Sequence, residues 1–113
     1  MAPSQAALDL LHGIAVTLQA EAPITVGTMF RSPGLRTGTR IVAFLGFDDT
    51  LIVKLPRARA VTLVQEGTAE PVTMGTRTMR EWVSLPVGAD PAATREAWTG
   101  FAREALAYVR SIP

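Results

Sequence analysis

Two apolar runs, Ile41–Phe47 and Leu51–Leu55, flank the acidic pair Asp48-Asp49 within the stretch Arg40–Ala60. Runs of this length, rich in β-branched and aromatic residues and divided by turn formers, predict a β-hairpin. Pro56 ends the second strand because it has no N–H for the ladder, and its fixed φ suits a helix start. A two-residue Asp48-Asp49 loop sets Phe47 opposite Thr50, Phe44 opposite Val53 and Val42 opposite Leu55. One face then carries Val42, Phe44, Leu51, Val53 and Leu55, and this is the expected core face. The other carries Ile41, Ala43, Leu45, Ile52 and Lys54, apolar but for one cation. A longer loop would slip the register and exchange the two faces.

At 113 residues the chain is expected to form one domain, 1–113, that buries roughly two thirds of its unfolded surface. With 48% hydrophobic and 19% charged residues it reads as globular and not disordered. It has no cysteine, which excludes disulfides and thiolate metal sites and suits a reducing compartment. The net charge of +1 argues against a strongly basic nucleic-acid binder. The charge is uneven, however: eight cations against four anions lie between Arg31 and Arg80. Lys54 is the only lysine and asparagine is absent, a usage expected of a GC-rich bacterial genome. Ala20-Glu21-Ala22 imitates a leader cleavage site, but the N-terminus lacks a cationic start and Asp9 and His12 interrupt its apolar segment. No apolar run approaches the length of a membrane span. The expected compartment is the cytoplasm, with no membrane partner.

The remaining elements follow from periodicity and caps. Leu8, Leu11, Ile14, Ala15 and Leu18 recur at the spacing of a helix face over Ser4–Ala20, with Ser4 as N-cap. Ile24–Arg31 reads as a strand and Ser32-Pro33-Gly34 as the turn after it. Leu35–Thr39 leads into the hairpin, with a bulge or bend at Gly38. Arg57–Glu66 reads as a short helix with Val61 and Val64 inward, closed by Gly67. Pro71–Met74 and Arg80–Leu85 are strand candidates joined by the loop Gly75–Thr78. Asp90-Pro91 opens a last helix with a stripe of Ala97, Trp98, Phe101, Ala105, Tyr108, Val109 and Ile112. The expected fold is α+β, a two-layer sandwich of order α-β(3)-α-β(2)-α. Its mainly antiparallel five-stranded sheet carries the helices on one face. The bare sheet face would then expose Ile41, Leu45 and Ile52, more apolar surface than water usually meets. These three are the candidate interface, and a homodimer or another protein is the expected partner.

Met29-Phe30, Pro33-Gly34-Leu35, Ala43-Phe44, Leu51–Pro56 and Met79–Val83 with Pro86 occur in an order and spacing that resemble the TfoX N-terminal domain family. The resemblance covers Met29 to the C-terminus, while the first helix agrees in kind only. It implies a fold similar to the YjbR-like and secretion-chaperone-like folds, with the element order already read. The family is named for a competence regulator that has a second, C-terminal domain. This chain is expected to stop after the first, so the resemblance carries the fold further than a regulatory or DNA-linked role. Arg31 stands where many members have glycine. Single-domain members are mostly of unknown function, and the resemblance implies no catalytic residue.

Site chemistry is sparse. His12, the only histidine, lies about 100° from the centre of its helix stripe, as a solvated flank residue would. Asp48-Asp49 has no third oxygen or imidazole near in sequence and reads as loop chemistry, not as a metal site. Gly34 and Gly38 lack the Gly-Lys-Ser/Thr ending of a phosphate loop, and no serine sits in a nucleophile elbow. Trp82 and Trp98 are expected in the core or at its edge. Gly100, inside the last helix, either marks a close backbone approach or is merely tolerated.

Lys54, Arg57 and Arg59 surround the helix start after Pro56, a candidate anion site. The bland alternative is solvated arginines whose stems cover apolar surface. Arg77, Arg80 and Trp82 form a second set, able to stack a base and hold phosphates. The expectation is a non-enzymatic domain that binds protein, itself first, without cofactor or metal. Nucleic-acid or phosphate-ligand binding through the basic centre is the alternative.

Overall fold

Ser4 and Asp90 open the two long helices. The Ser4 hydroxyl accepts a hydrogen bond from the Ala7 N–H at 3.1 Å, and the Asp90 carboxylate accepts one from the Ala92 N–H at 3.0 Å. The computed structural model describes residues 3–113. Its elements run α1 (Gln5–Gln19), β1 (Thr25–Met29), β2 (Ser32–Thr37), β3 (Arg40–Leu45) and β4 (Leu51–Lys54). They continue as α2 (Arg57–Gln65), β5 (Glu70–Met74), β6 (Arg77–Leu85) and α3 (Pro91–Ser111). The strands form one antiparallel sheet in the order β1-β2-β3-β4-β6-β5. The crossover through α2 lets β5 take the far edge while β6 pairs with β4.

The fold is α+β with the helices packed against the sheet. Leu11, Ile14 and Leu18 of α1, Leu63 of α2 and Trp98, Leu106 and Val109 of α3 meet Leu35, Leu45, Leu51, Val53 and Val83 in one core. Each of these large side chains contributes about 1.5–3 kcal/mol by leaving water. Trp98 is fully enclosed, and its indole N–H donates to the Pro86 carbonyl at 3.2 Å. Gly67, just past α2, takes φ +78° and donates to the Val64 carbonyl, the αL closure expected of a C-terminal glycine.

The register of the β3–β4 hairpin is not the one a two-residue loop would give. Ala43 faces Val53, Phe44 faces Ile52 and Leu45 faces Leu51. The link is longer, Gly46 to Thr50, with Phe47–Asp49 as a short helical turn in which Asp48 and Asp49 both have positive φ. This one-residue slip turns Phe44 and Leu45 of β3 to the opposite faces, while β4 keeps its expected sides. Leu45 is only 1% exposed, under the helices, and leaves the candidate interface; Phe44 moves to the bare face, where Ile52 stays as expected. Val42 stays in the core because the β2–β3 ladder is irregular there: Leu35 pairs with Ala43 and Arg36 with Ile41, leaving Val42 as an extra residue.

The sheet has six strands, one more than expected. The turn after β1 is Phe30-Arg31, and Ser32-Pro33-Gly34 lies inside β2, where it pairs with β1. Gly38 sits with φ +61° in the turn between the paired residues Thr37 and Arg40. The β5–β6 turn is likewise shorter than expected, with Arg77 and Thr78 already in β6. In α2 the buried residues are Ala60 and Leu63; Val61 is exposed and Val64 only partly covered. The α3 stripe is turned slightly, so that Ala97 is exposed and Ala102 and Leu106 are buried.

Two polar contacts join the helices to one another and two join α3 to the sheet. Arg59 pairs with Glu104 at 3.0 Å and Arg103 with Glu21 at 2.8 Å, joining α3 to α2 and to the link after α1. Tyr108 donates its hydroxyl hydrogen bond to Glu81 of β6, and Arg40 donates to the carbonyls of Val109 and Ile112 at the end of α3. No helix among the described residues is long and apolar enough to cross a membrane.

Candidate functional site

A large irregularity in β6 shapes the first site. Pro71 pairs with Val83, yet the next residue of β5, Val72, pairs with Met79. Arg80, Glu81 and Trp82 therefore stand between two successive partners. A bulge bends its strand and re-aims its side chains. β4 ends at Lys54, opposite Trp82, so the first half of β6 runs on without β4 beside it. The result is a notch of about 570 Å³ lined by Lys54, Arg77, Thr78, Met79, Arg80, Glu81 and Trp82. Lys54 Nζ lies 5.6 Å from the Trp82 ring centroid, a cation–π distance. Glu81 is the one acid in this lining, and its carboxylate accepts the Tyr108 hydroxyl. Among the described residues Lys54, Arg77 and Arg80 form no ion pair.

The bare sheet face holds the second site. The rings of Phe30 and Phe44 lie 5.3 Å apart and those of Phe44 and Trp82 5.5 Å apart, a strip across the sheet. Gly34 makes this possible. A Cβ there would meet Met29 Sδ at 2.4 Å and Phe44 Cβ at 2.7 Å, so only glycine lets those side chains close over β2. Beside the strip runs a groove of about 670 Å³ whose lining includes Phe44, Ile52, Val72 and Ser84. Phe30 and Phe47 stand on its rim, 60% and 84% exposed. Arg31, Asp48 and Glu70 supply charge around it.

The Phe30-Arg31 turn is strained. Both residues have positive φ, 51° and 65°, although neither is a glycine. For bulky side chains such conformations are rare and cost about 1–3 kcal/mol each. Met29 and Ser32 pair on either side, so the turn has only two residues in which to reverse the chain.

The structure redistributes the residues singled out from the sequence. Lys54 joins Arg77, Arg80 and Trp82, not Arg57 and Arg59. Arg59 is taken by Glu104 and lies 5.8 Å from the Phe101 ring centroid; hydrogen bonding to Glu104 pushes its pKa further up. Arg57 lines a neighbouring, mostly apolar groove with Val61, Val64, Pro71 and Met79. Of the three interface candidates, Ile52 lines the bare-face groove. Ile41 is half-buried beside Arg40, Val109 and Ile112, and Leu45 is in the core. Phe30, Phe47 and Arg31 were not among the candidate site residues, because their types alone do not announce a two-residue left-handed turn or an outward aromatic.

The acids are largely engaged in holding the fold. Asp49 accepts the Ser4 N–H at 2.9 Å, and hydrogen bonding to Ser4 holds its carboxyl below the usual range. Hydrogen bonding to Arg103 does the same for Glu21. His12 is exposed on α1. No group of three His, Asp or Glu residues able to hold a metal ion occurs among the described residues. Comparison of the chain with protein-family models, with curated proteins and with solved structures gives no match.

Proposed function

We propose that the chain is a non-enzymatic protein-binding domain of the TfoX N-terminal type that associates first with a second copy of itself, through the bare face of its sheet. The observation that carries this is the pair of outward aromatics, Phe30 and Phe47, on the rim of an apolar groove that no helix covers. Exposed aromatic surface next to apolar relief marks interaction sites. A stable dimer needs about 800 Å² from each partner, a modest share of the 6642 Å² surface. The strain kept in the Phe30-Arg31 turn supports a role for the face, since such strain gathers at functional sites. Structural engagement of Asp49, Glu21, Glu81 and Glu104 supports a binding role over acid–base catalysis. The ordered motifs from Met29 to Pro86 support the family assignment. The lack of cysteine suits a bacterial cytoplasm.

Sedimentation velocity over a wide concentration range tests the dimer. The wild type is expected to pass from monomer to dimer in the micromolar range, and Ile52→Glu or Phe47→Glu to remain monomeric and folded. A wild type that stays monomeric throughout, or a dimer indifferent to both substitutions, rules the reading out.

A further inference from the structure

We propose that the notch at the β6 bulge is a binding site for a small phosphorylated ligand, with Lys54, Arg77 and Arg80 holding the phosphate and Trp82 forming an aromatic wall for the organic part. Lys54 reaches the notch from β4, while Arg77 and Arg80 reach it from the exposed half of β6. Three like charges gathered around one hollow repel one another, and each is without an acidic partner among the described residues. Elsewhere the chain neutralises converging charge: Arg59 and Arg103 have carboxylate partners, and Arg40 has helix-end carbonyls. Arg31, Arg36, Arg57, Arg95 and Arg110 also form no ion pair among the described residues, and what sets the notch apart is that three such cations line one hollow. An anion bridging the three would remove the repulsion and make charge-assisted hydrogen bonds with each.

The acid in the lining does not play that part. Glu81 shares the helix-side alternation of Val83 and Leu85, where it accepts the Tyr108 hydroxyl, whereas Trp82 lies on the bare side with Phe44 and Lys54. The bulge thus divides its three residues: Glu81 is used by the fold, and Arg80 and Trp82 line the hollow. A volume of about 570 Å³ is in the range of small-molecule sites and far exceeds what phosphate alone fills. A planar group beside Trp82 would use the remainder. A polynucleotide is the poorer fit. Its charges are spaced along a strand and call for an extended basic track, while these three cations line a single hollow and the whole chain carries only +1.

Tryptophan fluorescence offers a direct readout, because Trp82 is partly exposed and Trp98 is buried in the core. Inorganic phosphate, ribose 5-phosphate and adenosine mono-, di- and triphosphate are titrated against the full chain, with calorimetry alongside. Binding of the nucleoside phosphates, weaker for ribose phosphate and weakest for phosphate, is expected. Binding equal for all phosphates would assign the site to the phosphate alone and overturn the role of Trp82. Arg77→Gln and Arg80→Gln, at exposed positions that the fold does not use, should each weaken binding by about tenfold or more, the scale of one charge-assisted contact. Arg110→Gln, with the same change in net charge, should leave it unchanged. No saturable signal with any phosphate compound, or equal weakening by Arg110→Gln, would overturn the proposal. So would a short single-stranded oligonucleotide that binds more tightly than the mononucleotide and tightens with length.

Discussion

Arg40, at the head of β3, donates to the carbonyl of Val109 in the last turn of α3, and the same guanidinium nitrogen donates to Ile112. Helix C-termini leave carbonyls without intrahelical partners and carry the negative end of the dipole. Here a cation from the sheet meets both needs, 69 residues away in sequence. The contact also explains why Arg40 does not belong with the free cations of the chain's basic centre.

Arg40→Ala should therefore destabilise the domain by about 1.5–3 kcal/mol, the scale of hydrogen bonds to a charged group. Amide exchange should rise first at the end of α3. Urea denaturation with hydrogen-exchange mass spectrometry checks both, and an unchanged midpoint would mean that the helix end finds its partners elsewhere.

Phe44→Ala is expected to cost about 3 kcal/mol, at the low end for a buried phenylalanine. The ring is only 6% exposed, held between Phe30 and Trp82, yet no helix lies above it, so the site can relax toward water. Loss of the edge contact with Trp82 should also shift that indole's emission. A denaturation midpoint that hardly moves would count against the strip as a packed unit.

The left-handed turn gives a prediction of opposite sign. Arg31→Gly removes the steric cost of φ 65°, about 1–2 kcal/mol, and adds back about 0.5–1 kcal/mol of unfolded-state entropy. A net gain of about 0.5–1 kcal/mol in chemical denaturation is expected. A loss would mean that the Arg31 side chain makes contacts worth more than the strain.

Gly100→Ala should also stabilise, by up to about 1 kcal/mol. An added Cβ at this position in α3 meets nothing within 4 Å, so the glycine serves no close approach and only its backbone freedom is lost on folding. Thermal denaturation would show the gain as a higher midpoint; a lower one would reveal a neighbour in the folded protein.

Helix starts, the αL stop at Gly67 and the split into a helical layer and a sheet were legible because each is written in a few adjacent residues. Ser4, Asp90-Pro91 and Gly67 act locally, and the structure uses all of them as expected. Register was not legible. It depends on how many residues the Asp48-Asp49 link consumes, and two left-handed aspartates with a short helical turn consume more than a tight hairpin would. That single residue moved Leu45 into the core and Phe44 out of it. The notch was hidden for a related reason: a bulge is a property of two strands, and nothing in the β6 sequence by itself announces it. Residue types still marked its contents, since Arg77, Arg80 and Trp82 stood out as a set; only Lys54 was grouped with the wrong arginines.

Two kinds of contact make stability depend on pH with opposite sign. Hydrogen bonding to Glu81 raises the Tyr108 hydroxyl above its ordinary value of 10.0, because ionising it would set a phenolate beside a carboxylate. A raised folded-state pKa means that the native protein holds this proton more tightly than the unfolded chain. The stabilisation is complete below the unfolded value near 10 and is lost as pH rises through the higher folded one. Asp49 and Glu21 behave oppositely. Their carboxylates are held below the usual range by Ser4 and Arg103, so their stabilisation is present above the unfolded values and is lost as pH falls through the lower folded ones. Tyr108→Phe should flatten the alkaline limb of a stability–pH profile and leave the acid limb alone; Asp49→Asn should do the reverse. Both measurements need only denaturant midpoints across the pH range. An alkaline limb unchanged in Tyr108→Phe would show that the hydroxyl does not donate to Glu81 in solution.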